Sequence, residues 1–238
     1  VKSRRNQTIT SHMSQRVDPD EDGVLDDFPT QPWGTRALIM MLKKRGLVMQ
    51  EPGHGACWEP AANRGYMARP LTEHFRLVHG SDVFDYGAGY AQRDFLIRYE
   101  GDPRFDWIIT NPPFRLGEEF ALTALDRAEF GCAILVRMPF LETVDRYNNL
   151  YKRDRPTFVF QFVERLPLVK GRCIRMKDDG KKLTTATAYC WLVWDKNKRA
   201  DDTIFDWIPP CRARLERVDT DYLVYGAKDA LLDGRAPV

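Results

Sequence analysis

The sequence is poor in the residues that staple a fold or hold a metal. Its 238 residues include five cysteines, none in a Cys-x-x-Cys pair, and four histidines without ligand spacing. Cys57, Cys132, Cys173, Cys190 and Cys211 are odd in number and scattered, which argues against a disulfide framework and against a zinc site. No metal is assigned, and a reducing, cytoplasmic setting is expected. No apolar run approaches a membrane span and no signal peptide is visible, so no membrane partner is expected. An excess of one charge is missing too: 36 basic and 34 acidic side chains leave +2, so contact with a polyanion must come from local patches. With 43% hydrophobic and 29% charged residues, the chain suits one substantial α/β domain with tails.

What is present is one stretch, residues 105–114, around which the chain is organised. Trp107, Ile108 and Ile109 are apolar at consecutive positions, as in a parallel strand covered on both faces. Pro112 and Pro113 then stop the run, since neither donates to a ladder and each biases its predecessor toward extended geometry. The expectation is a stiff hook at a strand's carboxyl end, where open α/β sheets bind ligands. Asn111 and a proline-fixed carbonyl can accept two N–H bonds, while Phe114 can stack on a planar ring. An exocyclic amino group of a nucleobase needs that combination, because its lone pair is delocalised into the ring until both hydrogens are held out of plane.

Asn111-Pro112-Pro113-Phe114 resembles the catalytic motif of class I S-adenosylmethionine-dependent methyltransferases acting on amino or amide nitrogens, above all the gamma-type DNA N6-adenine enzymes. Other segments resemble that family's motifs in the same order. Thr30 stands in a segment that in the family closes over the cofactor's methionine end, although here Gln31 separates it from Pro32. Glu59-Pro60-Ala61-Ala62-Asn63-Arg64-Gly65 follows a short strand and resembles the acidic-x-x-x-Gly-x-Gly turn, with Asn63 at the first glycine position. Small residues there let backbone approach a ligand, and Asn tolerates left-handed geometry better than most. Asp82 ends a second strand, where dinucleotide-type folds bind ribose hydroxyls. Asp94 and Phe95 match the pair that in the family takes the adenine amino group and the adenine ring.

The remaining elements are read from pattern. Residues 1–27 carry basic, then acidic side chains without apolar period and are expected to be a disordered arm. A helix follows over 37–42 with a basic last turn and a glycine stop, and helical spacing recurs through Leu71 and Phe75 and over 117–130. Strands are expected at 132–136, 157–163 and 186–194, with a strand-like piece at 203–208 in an extension spanning 196–238. Arg137 lies at the end of one strand. Arg165, Lys170, Arg172, Arg175, Lys177, Lys181 and Lys182 crowd a link that starts on the same rim as Asn111 and can meet phosphates.

The resemblance implies a Rossmann-like class I methyltransferase domain over 28–195. It would have a seven-stranded, mostly parallel sheet, the last strand antiparallel, and helices on both faces. Within the family the chain looks like small phage- or prophage-type DNA adenine methyltransferases. S-adenosylmethionine is the implied cofactor, and DNA, single-stranded DNA included, or RNA the implied partner. RNA base methylation at adenine N6 or guanine N2 and protein glutamine methylation share the hook and stay open. A catalytically silent cofactor- or nucleic-acid-binding protein is the alternative of another class.

Overall fold

The structure is a computed structural model, and it describes residues 26–181, 183–197 and 201–223. Of the expected arm only Asp26 and Asp27 are among them. Pro32 opens helix α1 (Pro32–Lys44), where its missing N–H costs nothing, and Lys43 and Lys44 face the negative end of the helix dipole. Trp33, Ala37, Leu38, Met41 and Leu42 repeat at helical spacing and are essentially buried, so one stripe of α1 is committed to the core. Gly46, at φ 69°, turns the chain away.

Among the described residues, eight strands form one sheet: β1 (Ala56–Glu59), β2 (Leu77–Asp82), β3 (Ala91–Gln92), β4 (Phe105–Thr110), β5 (Ala128–Arg137), β6 (Phe158–Phe162), β7 (Tyr189–Asp195) and β8 (Ile204–Ile208). Their order is β3-β2-β1-β4-β5-β7-β6-β8. All neighbours are parallel except β7, which runs antiparallel to both β5 and β6. The antiparallel seventh strand is the one expected. The strand count is not: the extension contributes β8, paired parallel with β6 from Phe158↔Ile204 to Phe162↔Ile208.

The consecutive apolar residues of the central strands serve two cores. Trp107, Ile109, Ala133, Leu135, Phe160 and Trp191 pack with α1 on one face. On the other, Trp58, Ile108, Cys132, Ile134 and Leu192 meet Phe120, Ala121 and Ala124 of helix α3 (Gly117–Arg127). A short helix α2 (Ala68–Thr72) links β1 to β2. Helical spacing had extended α3 to Phe130, but Ala128 pairs with Phe105 and so starts β5 early; sheet pairing overrides the local pattern. Gly131 is required within β5, since a Cβ there would lie 2.6 Å from the Trp194 carbonyl and 2.7 Å from the Trp107 ring. Among the described residues no helix is long and apolar enough to cross a membrane.

From β1 the chain builds outward through β2 and β3, then returns to lay β4 on the other side of β1. Loops leaving β1 and β4 therefore diverge, and a crevice opens at their carboxyl ends.

Candidate active site

Two side chains close the floor of that crevice. Glu59, at the end of β1, is fully buried, and its Oε1 accepts from the Thr110 hydroxyl at the end of β4 (2.5 Å) and from the Ala61 N–H (2.9 Å). Its Oε2 is buried with no hydrogen-bond partner. Burial pushes the carboxyl up to about 8, with the Thr110 and Ala61 hydrogen bonds opposing. Pro60 and Ala61 turn the chain, Asn63 takes φ 50° and Gly65 φ 84°. The left-handed geometry for which Asn63 is suited is thus the geometry it has. Its N–H donates to Asp82 Oδ2 (2.9 Å) and the Phe84 N–H to Asp82 Oδ1 (3.1 Å), tying the turn to the end of β2. Burial raises Asp82 to about 6, against those backbone donors.

The hook follows β4. The Asn111 Nδ2 donates to the Phe28 carbonyl (2.9 Å), and its Oδ1 is buried without a partner. A carbonyl can only accept, so Phe28 decides which way the amide faces: the NH2 toward Phe28, the oxygen away. Pro113 is extended (φ −51°, ψ 130°), and Phe114 then begins a 3-10 turn, Phe114–Leu116, that leads into α3. The Phe114 N–H donates to Asp26 Oδ2 (2.8 Å). Around the Phe114 ring stand Phe28 at 5.1 Å between centroids and the Arg137 guanidinium at 3.5 Å from the centroid. Asp27 pairs with Arg64 (2.9 Å) and accepts from Asn63 Nδ2 (2.8 Å). Residues 26–28 are therefore a strap across both the turn after β1 and the hook after β4.

No protein-family model matches the chain, and no curated protein matches it at a significant level. Solved structures do match. The chain is similar to a Listeria monocytogenes protein provisionally described as a class I S-adenosylmethionine-dependent methyltransferase, with a TM-score of 0.53 at 11% identity, over 87% of this chain and 74% of the other.

The fold is the class I methyltransferase fold.

Two further similarities agree with it. One is to a Pyrococcus horikoshii protein provisionally described as an RNA methyltransferase, with a TM-score of 0.51 at 14% identity, over 82% of this chain and 99% of the other. The other is to the methyltransferase subunit of a type I restriction-modification system from Streptococcus thermophilus, with a TM-score of 0.52 at 11% identity, over 88% of this chain and 53% of the other.

Within this methyltransferase fold, Thr30, Glu59, Pro60, Ala61, Asn63, Gly65, Asp82 and Asn111 come together around the strap and the crevice. Thr30 is buried and its Oγ1, like Glu59 Oε2 and Asn111 Oδ1, has no partner. Gln31, which interrupts the Thr-Pro pattern, accepts from the Trp33 indole (2.7 Å) and donates to the Ile174 carbonyl (2.8 Å). Asp94 is buried and accepts from the Leu96 N–H (2.9 Å). Phe95 is 1% exposed, held between Trp58 and Phe120 with ring centroids at 5.0 Å to each. Its ring is covered by protein and lies in the core.

The basic link is fastened beside the strap, through the Gly171 N–H on the Asp27 carbonyl (2.8 Å) and through Gln31. Several of its charges are already matched: Arg172 with Asp178 (3.2 Å), Arg175 with Glu216 (3.4 Å) and Lys181 with Asp179 (3.0 Å). Arg165, Lys170 and Lys177 are exposed, and no carboxylate pairs with them among the described residues; Lys182 lies outside those residues. No group of three or more His, Cys, Asp or Glu that could hold a metal occurs among the described residues.

Asp26, Asp27, Arg64, Thr110 and Tyr90 escaped sequence reasoning. The two aspartates end an acidic run and carry no local mark that separates them from it. Tyr90 lies in a notch formed by two glycines, where a Cβ on Gly65 would come 2.2 Å from its hydroxyl and one on Gly80 2.3 Å from its ring.

Proposed function

We propose that the chain is an S-adenosylmethionine-dependent N-methyltransferase acting on an exocyclic amino group, N6 of adenine in DNA being the substrate the site suits best. The observation that carries this reading is the Asn111 amide. Its NH2 is fixed on the Phe28 carbonyl, which leaves a buried, unpaired oxygen on the same hook that carries the Phe114 ring. An unpaired buried acceptor costs free energy unless a ligand donor reaches it. An amino group that donates one hydrogen to Asn111 Oδ1 and the other to the Pro112 carbonyl has its lone pair turned out of the ring plane.

The residues present fit the cofactor. Thr30 Oγ1 and Glu59 Oε2 are two further buried oxygens without partners, which suits an ammonium group. In this reading Asp82 takes ribose hydroxyls and Asp94 an adenine amino group, while Phe95 supports them from the core. When bound, S-adenosylmethionine supplies an electrophilic methyl group. Asn111 and Pro112 orient the accepting nitrogen, Phe114 holds the ring, and residues 26–28 hold the hook through Asn111 and Phe114. A base held in duplex must be extruded at a cost of a few kcal/mol, less from a single strand. DNA as substrate is supported by the similarity to a restriction-modification methyltransferase subunit and by the exposed Arg165, Lys170 and Lys177 beside the strap.

The test is mass spectrometry of DNA and RNA nucleosides and of protein peptides from cells with and without the expressed chain, alongside an Asn111→Ala control. N6-methyladenine gained in DNA supports the reading. A methylated RNA base, or methylglutamine in protein, would redirect it to those substrates.

A further inference from the structure

The face on which a base would stack is already covered, and by a group that can leave. Arg137 ends β5, and its backbone is pinned: it pairs with Tyr189 of β7, and the next N–H, that of Met138, donates to the Ala188 carbonyl (2.9 Å). Its side chain is nonetheless exposed, and it reaches back to lay the guanidinium 3.5 Å from the centroid of Phe114 and 5.9 Å from that of Phe28. Among the described residues no carboxylate pairs with it, and the Phe114 ring is the group it lies on. The guanidinium is planar and cationic, and it sits at stacking distance where a planar base would lie.

We propose that Arg137 is a gate on Phe114: it occupies the stacking face in the free protein and, when a base takes that face, exchanges the ring for the phosphate of the same nucleotide. This rests on the base-methylating reading above and names the residue that couples base capture to backbone contact. An exposed cation over a phenyl ring is held more weakly than a base is held by aromatic stacking, so the exchange runs in the substrate's favour. The released guanidinium has five donors in a fork that matches phosphate, and its pinned backbone keeps it within one side-chain length of the hook. The gate would also favour nucleotides within a strand over free bases, since only the former offer the displaced guanidinium a phosphate.

The experiment uses the full chain and two fluorescent probes, 2-aminopurine nucleoside and a single-stranded oligonucleotide carrying one 2-aminopurine, titrated at several salt concentrations. The proteins are wild type, Arg137→Ala and Phe114→Ala. In Arg137→Ala the nucleoside should bind about three- to sixfold more tightly, because the ring is no longer covered most of the time. The oligonucleotide should bind more weakly, with a slope of log affinity against log salt smaller by about 0.7, one phosphate on a single strand. Opposite movements of the two probes support the gate. A shift of both in one direction, or of neither, overturns it and leaves the base-stacking reading in place, provided Phe114→Ala loses the quenching seen in wild type. If Phe114→Ala quenches like wild type, the base reading fails and the gate falls with it.

Discussion

Glu59 shows what one side chain in the crevice can reveal. One of its oxygens is held by Thr110 and Ala61, the other by nothing, and burial holds the proton on to about pH 8. Below the ordinary carboxylate range both folded and unfolded chains carry that proton, so it has no effect on stability. Between there and about 8 the folded chain keeps a proton that the unfolded chain has released, and stability falls as pH rises through that window. Glu59→Gln should therefore stabilise the free protein by a few kcal/mol at high pH and by little at low pH, as read from urea unfolding at about pH 5 and about pH 9. An offset equal at both would mean that Glu59 is ionised in the free protein. Asn111→Ala should abolish transfer while leaving cofactor affinity within a few fold, because the freed oxygen faces the substrate. Calorimetry showing cofactor binding abolished as well would overturn that assignment.

At the scale of elements, the strap 26–28 organises the site without belonging to the sheet. Asp26 holds the hook, Phe28 orients Asn111, and Asp27 ties Arg64 and Asn63 of the turn after β1. The Arg64 and Asp27 side chains are 5% and 13% exposed, so removing the carboxylate takes its charge partner from a nearly buried cation. Breaking such a pair costs about 3–5 kcal/mol. Asp27→Ala should lower unfolding stability by an amount of that order and weaken cofactor binding with it. Asp27→Asn, which keeps hydrogen bonding but not charge, should recover part of both. Unchanged stability in Asp27→Ala would mean that the strap is detached in solution.

For the whole molecule, the near-zero net charge means that a polyanion must be met by a local surface, and the basic link beside the strap is the surface we propose for it. Its charges are not equivalent. Replacing Arg165, Lys170 and Lys177 jointly by Ala should reduce the salt dependence of oligonucleotide binding by about 0.7–0.9 for each phosphate no longer neutralised. Replacing Arg172, Arg175 and Lys181 should reduce it less, since each is already neutralised by an acid and has less charge to offer a phosphate. Titrations at several salt concentrations on single- and double-stranded oligonucleotides separate the two sets; equal slopes throughout would place the nucleic-acid surface elsewhere.

The fold and the hook were legible because their signals are local. A consecutive apolar run such as 107–109 has to be covered on both faces, and two prolines after it have to end the strand, whatever lies around them. Asn63 and Gly65 could be read as suited to a left-handed turn for the same reason, since tolerance of positive φ belongs to the residue type. Contacts between distant segments had no such signature. Asp26 and Asp27 look like the rest of an acidic run until Phe114, Arg64 and Asn63 are brought to them. Phe95 looks like a ligand-facing ring until Trp58 and Phe120 close on it. The eighth strand needed β6 as a neighbour before Ile204–Ile208 could be more than a short strand-like piece. The sequence by itself determined the central strands, the turn and the hook, because their signals lie within a few residues. Which carboxylates, rings and cations surround the hook only the tertiary structure decided, because those pairings join segments tens of residues apart that the chain alone does not place side by side.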